Sequence, residues 1–234
     1  MPVADDLDRH AAESPAGLLV ASPNNPTGTM ASRTRLAELA DACRRRGLWL
    51  ISDEIYHGLE YNEQAETALA FWDAAIIVNS FSKYFSMAGW RIGWLVVPEA
   101  LVRPMERLAQ NLYISPPAIS QVAALGAFDA IEELEAIKVG YAANRAFLLN
   151  ELPGAGLISI LPGDGAFYLY ADVSGLTSDS AAFAQNMLKE IGVAITPGID
   201  FDPIRGHRFV RLSYAGPHGA MREAAARIKA WLKG

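Results

Sequence analysis

The first hundred residues alternate short apolar runs with stretches of helical periodicity. Helical stretches joining buried strands are typical of a mostly parallel sheet with helices on both faces, so we predict an α/β fold for this half. Four runs are continuously apolar, as expected for such buried strands: Gly17–Ala21, Leu48–Ile51, Ala74–Val78 and Ile92–Val97.

The segment 32–46 is predicted to form a helix between the first two strands. Ser32 can cap its first turn, and Gly47 can end its last turn. Its apolar positions recur at helical spacing and share one face: Leu36, Leu39, Ala40 and Cys43.

The pattern changes along the second half of the chain. Residues 99–151 are mainly helical, with Pro116-Pro117 separating two helices and a long helix predicted over 131–151. Beyond Pro153-Gly154, strand-like segments interleave with helices near 178–191 and 217–233, which indicates an α+β segment. We therefore predict two domains, covering residues 1–138 and 139–234.

Composition excludes several classes of protein. The chain has 234 residues, of which 51% are hydrophobic and 20% charged, and this balance excludes intrinsic disorder as the main state. A net charge of -6 argues against nucleic-acid binding. No apolar run is long enough to span a membrane, and the acidic start is unlike a signal peptide. The single Cys43 cannot form an internal disulfide, so we expect a cytoplasmic protein.

Polar residues follow three of the predicted strands, where functional groups of open α/β sheets collect. Asn25 follows the first strand, Asp53 the second and Lys83 the third. Each has an ordinary alternative explanation, respectively a turn, a helix cap and a solvated surface charge. Their order and spacing together favour a functional site.

Five motifs in this order resemble the class I/II pyridoxal-phosphate aminotransferases of the aspartate aminotransferase type. The similarity extends from about residue 22 to about residue 215. The motifs are SPNNPTG, SDEIY, SFSK, GWRIGW and FVRLSYA.

The resemblance implies that the chain binds pyridoxal 5'-phosphate. Lys83 would form a Schiff base with the cofactor aldehyde and then move a proton on the substrate. Asp53 would hold the pyridine nitrogen protonated. Tyr56 and Asn25 would hydrogen-bond the phenolic oxygen of the cofactor. Three further residues would hold its phosphate: Ser80, Ser82 and Arg91.

The resemblance also assigns the substrates and the partner subunit. Arg211 would bind the α-carboxylate of an amino acid together with Asn25, and a 2-oxo acid would accept the amino group. An internal ion pair is the alternative interpretation of Arg211. The family also implies a homodimer. The four histidines lack metal-ligand spacing, so no metal site is predicted.

The resemblance covers the C-terminal portion of the family fold. We expect the N-terminal part of the large domain to be missing, including a helix N-terminus that binds phosphate, and we expect apolar faces to be exposed in consequence. Residues 1–138 would then be a partial cofactor-binding domain and 139–234 the small domain. Two alternatives to an aminotransferase stay open: a carbon–sulfur lyase of the same fold, and a truncated, inactive fragment that serves only as a binding module.

Overall fold

The structure is a computed structural model that describes residues 1–233. The chain forms two compact units. The first comprises Met1–Pro23 and Thr29–Leu134, and the second comprises Asn24–Gly28 together with the chain from Glu135 onward.

The first unit is an α/β structure built on a four-stranded sheet of order β1-β2-β3-β4. Strands β1 to β3 are parallel, and β4 pairs antiparallel with β3. The prediction of a mostly parallel sheet is therefore confirmed. The strands are β1 (Gly17–Ala21), β2 (Trp49–Asp53), β3 (Ile76–Ser80) and β4 (Gly93–Val96), and the helices are α1 (Ala4–Arg9), α2 (Arg33–Arg46), α3 (Glu99–Leu112) and α4 (Ala118–Ala127).

Helix α2 covers one face of this sheet, as its sequence predicts. The hydroxyl of Ser32 accepts from the backbone N–H of Arg35 at its start, and Gly47 ends it with a left-handed φ of 66°. Its buried face belongs to the same cluster as Val20 and Leu50 of the sheet. This packing forms the core of the first unit.

Apolar side chains elsewhere in the first unit are exposed. Leu19 of β1 is 65% exposed, α3 has no buried residue, and Leu112 at its end is 71% exposed. The sheet is therefore not covered on both faces in the described part of the chain, whereas the expected exposure of apolar faces is confirmed.

The second unit is an α+β structure with an antiparallel sheet of order β5-β6-β8-β7. Helix α5 (Ile131–Glu151) runs from the first unit into the second. The remaining elements are β5 (Ser159–Leu161), β6 (Tyr168–Asp172), α6 (Ser180–Ile191), β7 (Thr196–Pro197), β8 (Phe209–Ser213) and α7 (His218–Lys233).

Replacing a leucine by alanine should destabilise the protein far more in α2, whose inner face is buried, than in α3, which has no buried residue. Leu39 is 0% exposed on α2, whereas Leu108 on α3 is 53% exposed. We expect Leu39→Ala to lower the free energy of unfolding by about 2–5 kcal/mol because it leaves a cavity. Leu108→Ala should change it by less than about 0.5 kcal/mol, as measured by urea denaturation. Equal losses in the two variants would contradict this account of the core.

Candidate active site

The parallel strands bring residues from distant parts of the sequence to one edge of the first sheet. The register pairs Ala21 of β1 with Asp53 of β2, and Asp53 with Val78 of β3. Asp53 is the last residue of β2 and Ser80 the last of β3. The turns after these strands carry further predicted site residues: Tyr56, Ser82 and Lys83.

Asp53 occupies an electrostatically balanced position at this edge. Partial burial raises the pKa of its carboxyl group above the usual 3.8, because desolvation disfavours the ionised form. Three groups oppose this effect: the backbone N–H of Ile55, which donates to Oδ1 at 3.1 Å, and the charges of Lys83 and His57. The ionisation of Asp53 therefore depends on nearby positive charge.

Lys83 and Tyr56 bring the turns after β3 and β2 together. The Lys83 Nζ lies 5.4 Å from the centroid of the Tyr56 ring, close enough for a cation–π contact. Tyr56 is only 3% exposed, and its carbonyl accepts from the N–H of Leu59 at 3.0 Å, so the ring is a fixed surface. The amine is therefore held near both Tyr56 and Asp53.

Ser80, Ser82 and Arg91 line one groove of about 800 Å³ in the first unit. The two hydroxyl oxygens are 2.8 Å apart, and the Ser82 N–H donates to the Ser80 hydroxyl at 3.0 Å. Arg91 is exposed and donates from Nη1 to the carbonyl of Ala88 at 2.9 Å. A carbonyl does not neutralise a guanidinium, so hydroxyl groups and a cation face the same groove, which suits an anion.

The second unit holds the other predicted pair. Asn25 lies in the 24–28 segment, and Arg211 lies on β8, opposite Tyr170 of β6 and Thr196 of β7. Arg211 Nη1 donates to Asn25 Oδ1 at 2.6 Å, and Nη2 donates to Thr196 Oγ1 at 3.1 Å. Both acceptors are neutral, so this arrangement orients the guanidinium without cancelling its charge.

Two aromatic rings and an unpartnered donor complete the surroundings of Arg211. Its Cζ lies 4.2 Å from the ring centroid of Tyr168 and 4.8 Å from that of Phe201. Its Nε is buried and has no hydrogen-bond partner among residues 1–233. A buried donor without a partner costs about 1–3 kcal/mol, so the structure retains binding capacity here that a carboxylate can use.

The structure thus groups the predicted residues into two sets. One set lies at the sheet edge and groove of the first unit, and the other is the Asn25–Arg211 pair. Thr196, Tyr168 and Phe201 were not singled out in the sequence. Only the strand register, which places Thr196 opposite Arg211, could have revealed the first of these.

His57 has partners within the first unit. Its Nε2 donates to the carbonyl of Ser22 at 3.1 Å, and its Nδ1 lies 3.5 Å from Oε2 of the buried Glu54. Across residues 1–233 there is no group of three His, Cys, Asp or Glu side chains that could hold a metal ion. None of the described helices has the length and apolar character needed to cross a membrane.

These two sets lie on the fold of the pyridoxal-phosphate aminotransferases, and sequence comparison identifies the same class. The chain belongs to the aminotransferase class I and II family, whose profile matches residues 3–228. It is 50% identical over 220 residues to the valine–pyruvate aminotransferase of Mycobacterium tuberculosis, covering 92% of this chain and 57% of that protein.

Solved structures support the same assignment. An aminotransferase from Mycobacterium tuberculosis superposes with a TM-score of 0.93 at 48% identity, covering 99% of this chain and 61% of that one. The aspartate aminotransferase from Thermus thermophilus with maleate superposes with a TM-score of 0.90 at 31% identity, covering 98% and 60%. The chain therefore spans about three fifths of the length of these relatives.

Removing the Asp53 charge should stabilise the protein in a pH-dependent way. Because the folded state raises the pKa of Asp53, ionisation of its carboxyl group lowers the free energy of unfolding as the pH rises above about 3.8. We expect Asp53→Asn to increase the free energy of unfolding at pH 7, with a smaller gain as pH falls toward 4, as measured by urea denaturation. Asp73→Asn, at an exposed aspartate, is the matched control and should show no such trend. A gain from Asp53→Asn that does not vary with pH would contradict the assignment.

Proposed function

We propose that this chain carries the reacting side chains of a pyridoxal-phosphate-dependent aminotransferase, which moves an amino group from an amino acid to a 2-oxo acid. The observation that carries the proposal is the clustering of Lys83, Tyr56 and Asp53 at the carboxyl edge of a parallel sheet. Family membership supports the same chemistry.

The residues present fit the cofactor in chemical character. Lys83 supplies an amine for its aldehyde, and Asp53 supplies a carboxylate for its pyridine nitrogen. The groove lined by Ser80, Ser82 and Arg91 supplies hydroxyl groups and a cation for its phosphate. When bound, pyridoxal phosphate supplies an electron sink that stabilises negative charge at the substrate α-carbon.

The side chains of this chain then have separate tasks. Asp53 would keep a proton on the pyridine nitrogen, since an ionised carboxylate stabilises a neighbouring positive charge. Lys83, in its neutral amine form, would accept the proton of the substrate α-carbon onto its Nζ. Tyr56 would donate its hydroxyl hydrogen to the cofactor's phenolic oxygen, and its ring lies next to the Lys83 amine.

Arg211 and Asn25 are proposed to bind the α-carboxylate of the substrate. The guanidinium between the Tyr168 and Phe201 rings keeps a buried, unpartnered Nε. A carboxylate can accept from this donor and from a neighbouring Nη group at once. This geometry selects amino acids and 2-oxo acids over simple amines and aldehydes.

Substrates, assembly and location are further parts of the proposal. The relative from Mycobacterium tuberculosis is named for valine and pyruvate, so this pair is the first to test here. We also propose a cytoplasmic homodimer, a partial cofactor domain over residues 1–138 and a small domain over 139–234.

Covalent attachment of the cofactor tests the proposal directly. The chain is incubated with pyridoxal phosphate, reduced with borohydride, digested and analysed by mass spectrometry. We expect the added mass on Lys83 and its loss in Lys83→Arg, whereas Lys138→Arg should leave the adduct at position 83 unchanged. A label spread over all lysines, or none at Lys83, would refute cofactor binding by this chain.

Turnover separates the aminotransferase from the other hypotheses. We expect alanine to form from pyruvate with valine as donor, and Arg211→Lys to lower kcat/KM by roughly 10- to 100-fold because hydrogen bonds to the carboxylate are lost. Release of ammonia and pyruvate without an oxo-acid acceptor would indicate the lyase. Absence of both products would identify this chain as catalytically inactive.

A further inference from the structure

We propose that Tyr84 is a positioning residue, whose ring, packed against the backbone of Gly58, holds Lys83 in place over Tyr56. The inference rests on the proposed function for its catalytic meaning, but the contact itself lies within the first unit. Neither residue belongs to the set that the five motifs assigned to the cofactor or the substrate.

The contact between Tyr84 and Gly58 leaves no room for a side chain at position 58. A Cβ added there would lie 2.6 Å from Cδ2 and 2.7 Å from Cγ of the Tyr84 ring. Cγ is the ring atom nearest the backbone, so rotation of the ring about its own axis cannot relieve the overlap, and either the Tyr84 side chain or the Gly58 backbone must move. Gly58 also has a φ of +94°, which favours glycine.

Gly58 is fixed on its own side of the contact. Its N–H donates to Oε1 of Glu60 at 2.9 Å, and the Glu60 side chain is buried. The flanking Leu59 N–H donates to the carbonyl of Tyr56 at 3.0 Å. The backbone that supports the Tyr84 ring is thus part of the same turn that holds the Tyr56 ring.

Tyr84 is also fixed on its other side. Its ring packs edge-on against the ring of Phe85, with the two ring centroids 5.1 Å apart. The centroid of the Phe85 ring lies 4.8 Å from that of the buried Phe81. The N–H of Ser86 donates to the carbonyl of Lys83 at 3.0 Å, which closes the turn around Tyr84. A displacement of Tyr84 is therefore passed to its neighbour Lys83 rather than absorbed by a loose loop.

Two adjacent contacts consequently set the spacing between the turns after β2 and β3. Lys83 Nζ faces the ring of Tyr56, and the ring of Tyr84 packs on Gly58, which lies two residues after Tyr56 in the turn that follows β2. Reacting groups lose about 100-fold in rate for a misplacement near 1 Å. The Tyr84 ring is therefore a spacer that fixes where the lysine amine can react.

Nuclear magnetic resonance can test this spacing without cofactor. The lysines of the full chain are dimethylated with ¹³C-formaldehyde, and the Lys83 signal, one of only five from lysine side chains, is assigned with Lys83→Arg. The ring current of Tyr56 should shift this signal. We expect the shift to be kept in Tyr84→Phe and largely lost in Tyr84→Ala and Gly58→Ala.

Matched variants separate the contact from backbone strain. Gly47 also has a positive φ, of +66°, but an added Cβ there meets nothing within 4 Å. Gly47→Ala should therefore leave the Lys83 signal unchanged. Adding Gly58→Ala to Tyr84→Ala should change the signal little further, because the ring that a Cβ would strike is gone. If Gly58→Ala fails to fold, the Tyr84→Ala and Tyr84→Phe pair still decides.

The rate of cofactor attachment gives the second measurement. Reduction and mass spectrometry on unmethylated protein should show attachment at Lys83 slowed by about tenfold or more in Tyr84→Ala, and unchanged in Tyr84→Phe. A wild-type Lys83 signal in Tyr84→Ala would overturn the inference. A changed Lys83 signal in Tyr84→Ala, with no attachment to Lys83 in the unaltered chain, would support the positioning role while refuting the proposed function.

Discussion

The parallel pairing of β1, β2 and β3 is the constraint on which the candidate site depends. Residues that are tens of positions apart in sequence reach one edge of the sheet only because all three strands run in the same direction and in this register. A slip of one residue would turn Asp53 to the opposite face of the sheet, away from Lys83. The core formed by α2 therefore helps to hold these side chains in place as well as to stabilise the unit, because burying one face of the sheet specifies the strand register.

Sequence reasoning succeeded where one local rule governs the structure. Helix α2, with its Ser32 cap and Gly47 terminator, was predicted to within one residue because capping and periodicity agree there. The end of β3 was misplaced, since Ala74–Val78 was expected and Ile76–Ser80 is observed. The apolar run predicts that a strand is present. Its first and last residues, however, depend on hydrogen bonds to the neighbouring strands, which a local sequence pattern does not reveal.

Contacts between distant segments account for what the sequence could not predict about the site. The hydrogen bond between Arg211 and Asn25 joins residues 186 positions apart, and only the family resemblance, not a local pattern, suggested that the two act together. Thr196 reaches the same guanidinium only through the pairing of β7 with β8. The packing of Tyr84 on Gly58 likewise depends on how two turns approach each other. Asp53 illustrates how a candidate site can oppose stability, because the burial of its carboxyl group disfavours the ionised form.

The assignment of residues 24–28 to the second unit has a practical consequence for dissecting the protein. The backbone passes between the units at three places, after Pro23, after Gly28 and after Leu134. A single proteolytic cut cannot release either unit, and no contiguous gene segment encodes the second unit alone. Expressing residues 135–234 alone would omit Asn25, leaving the Arg211 guanidinium without the amide that orients it. The Asn25–Arg211 pair is therefore built from two separate stretches of sequence, although its members are hydrogen-bonded in space.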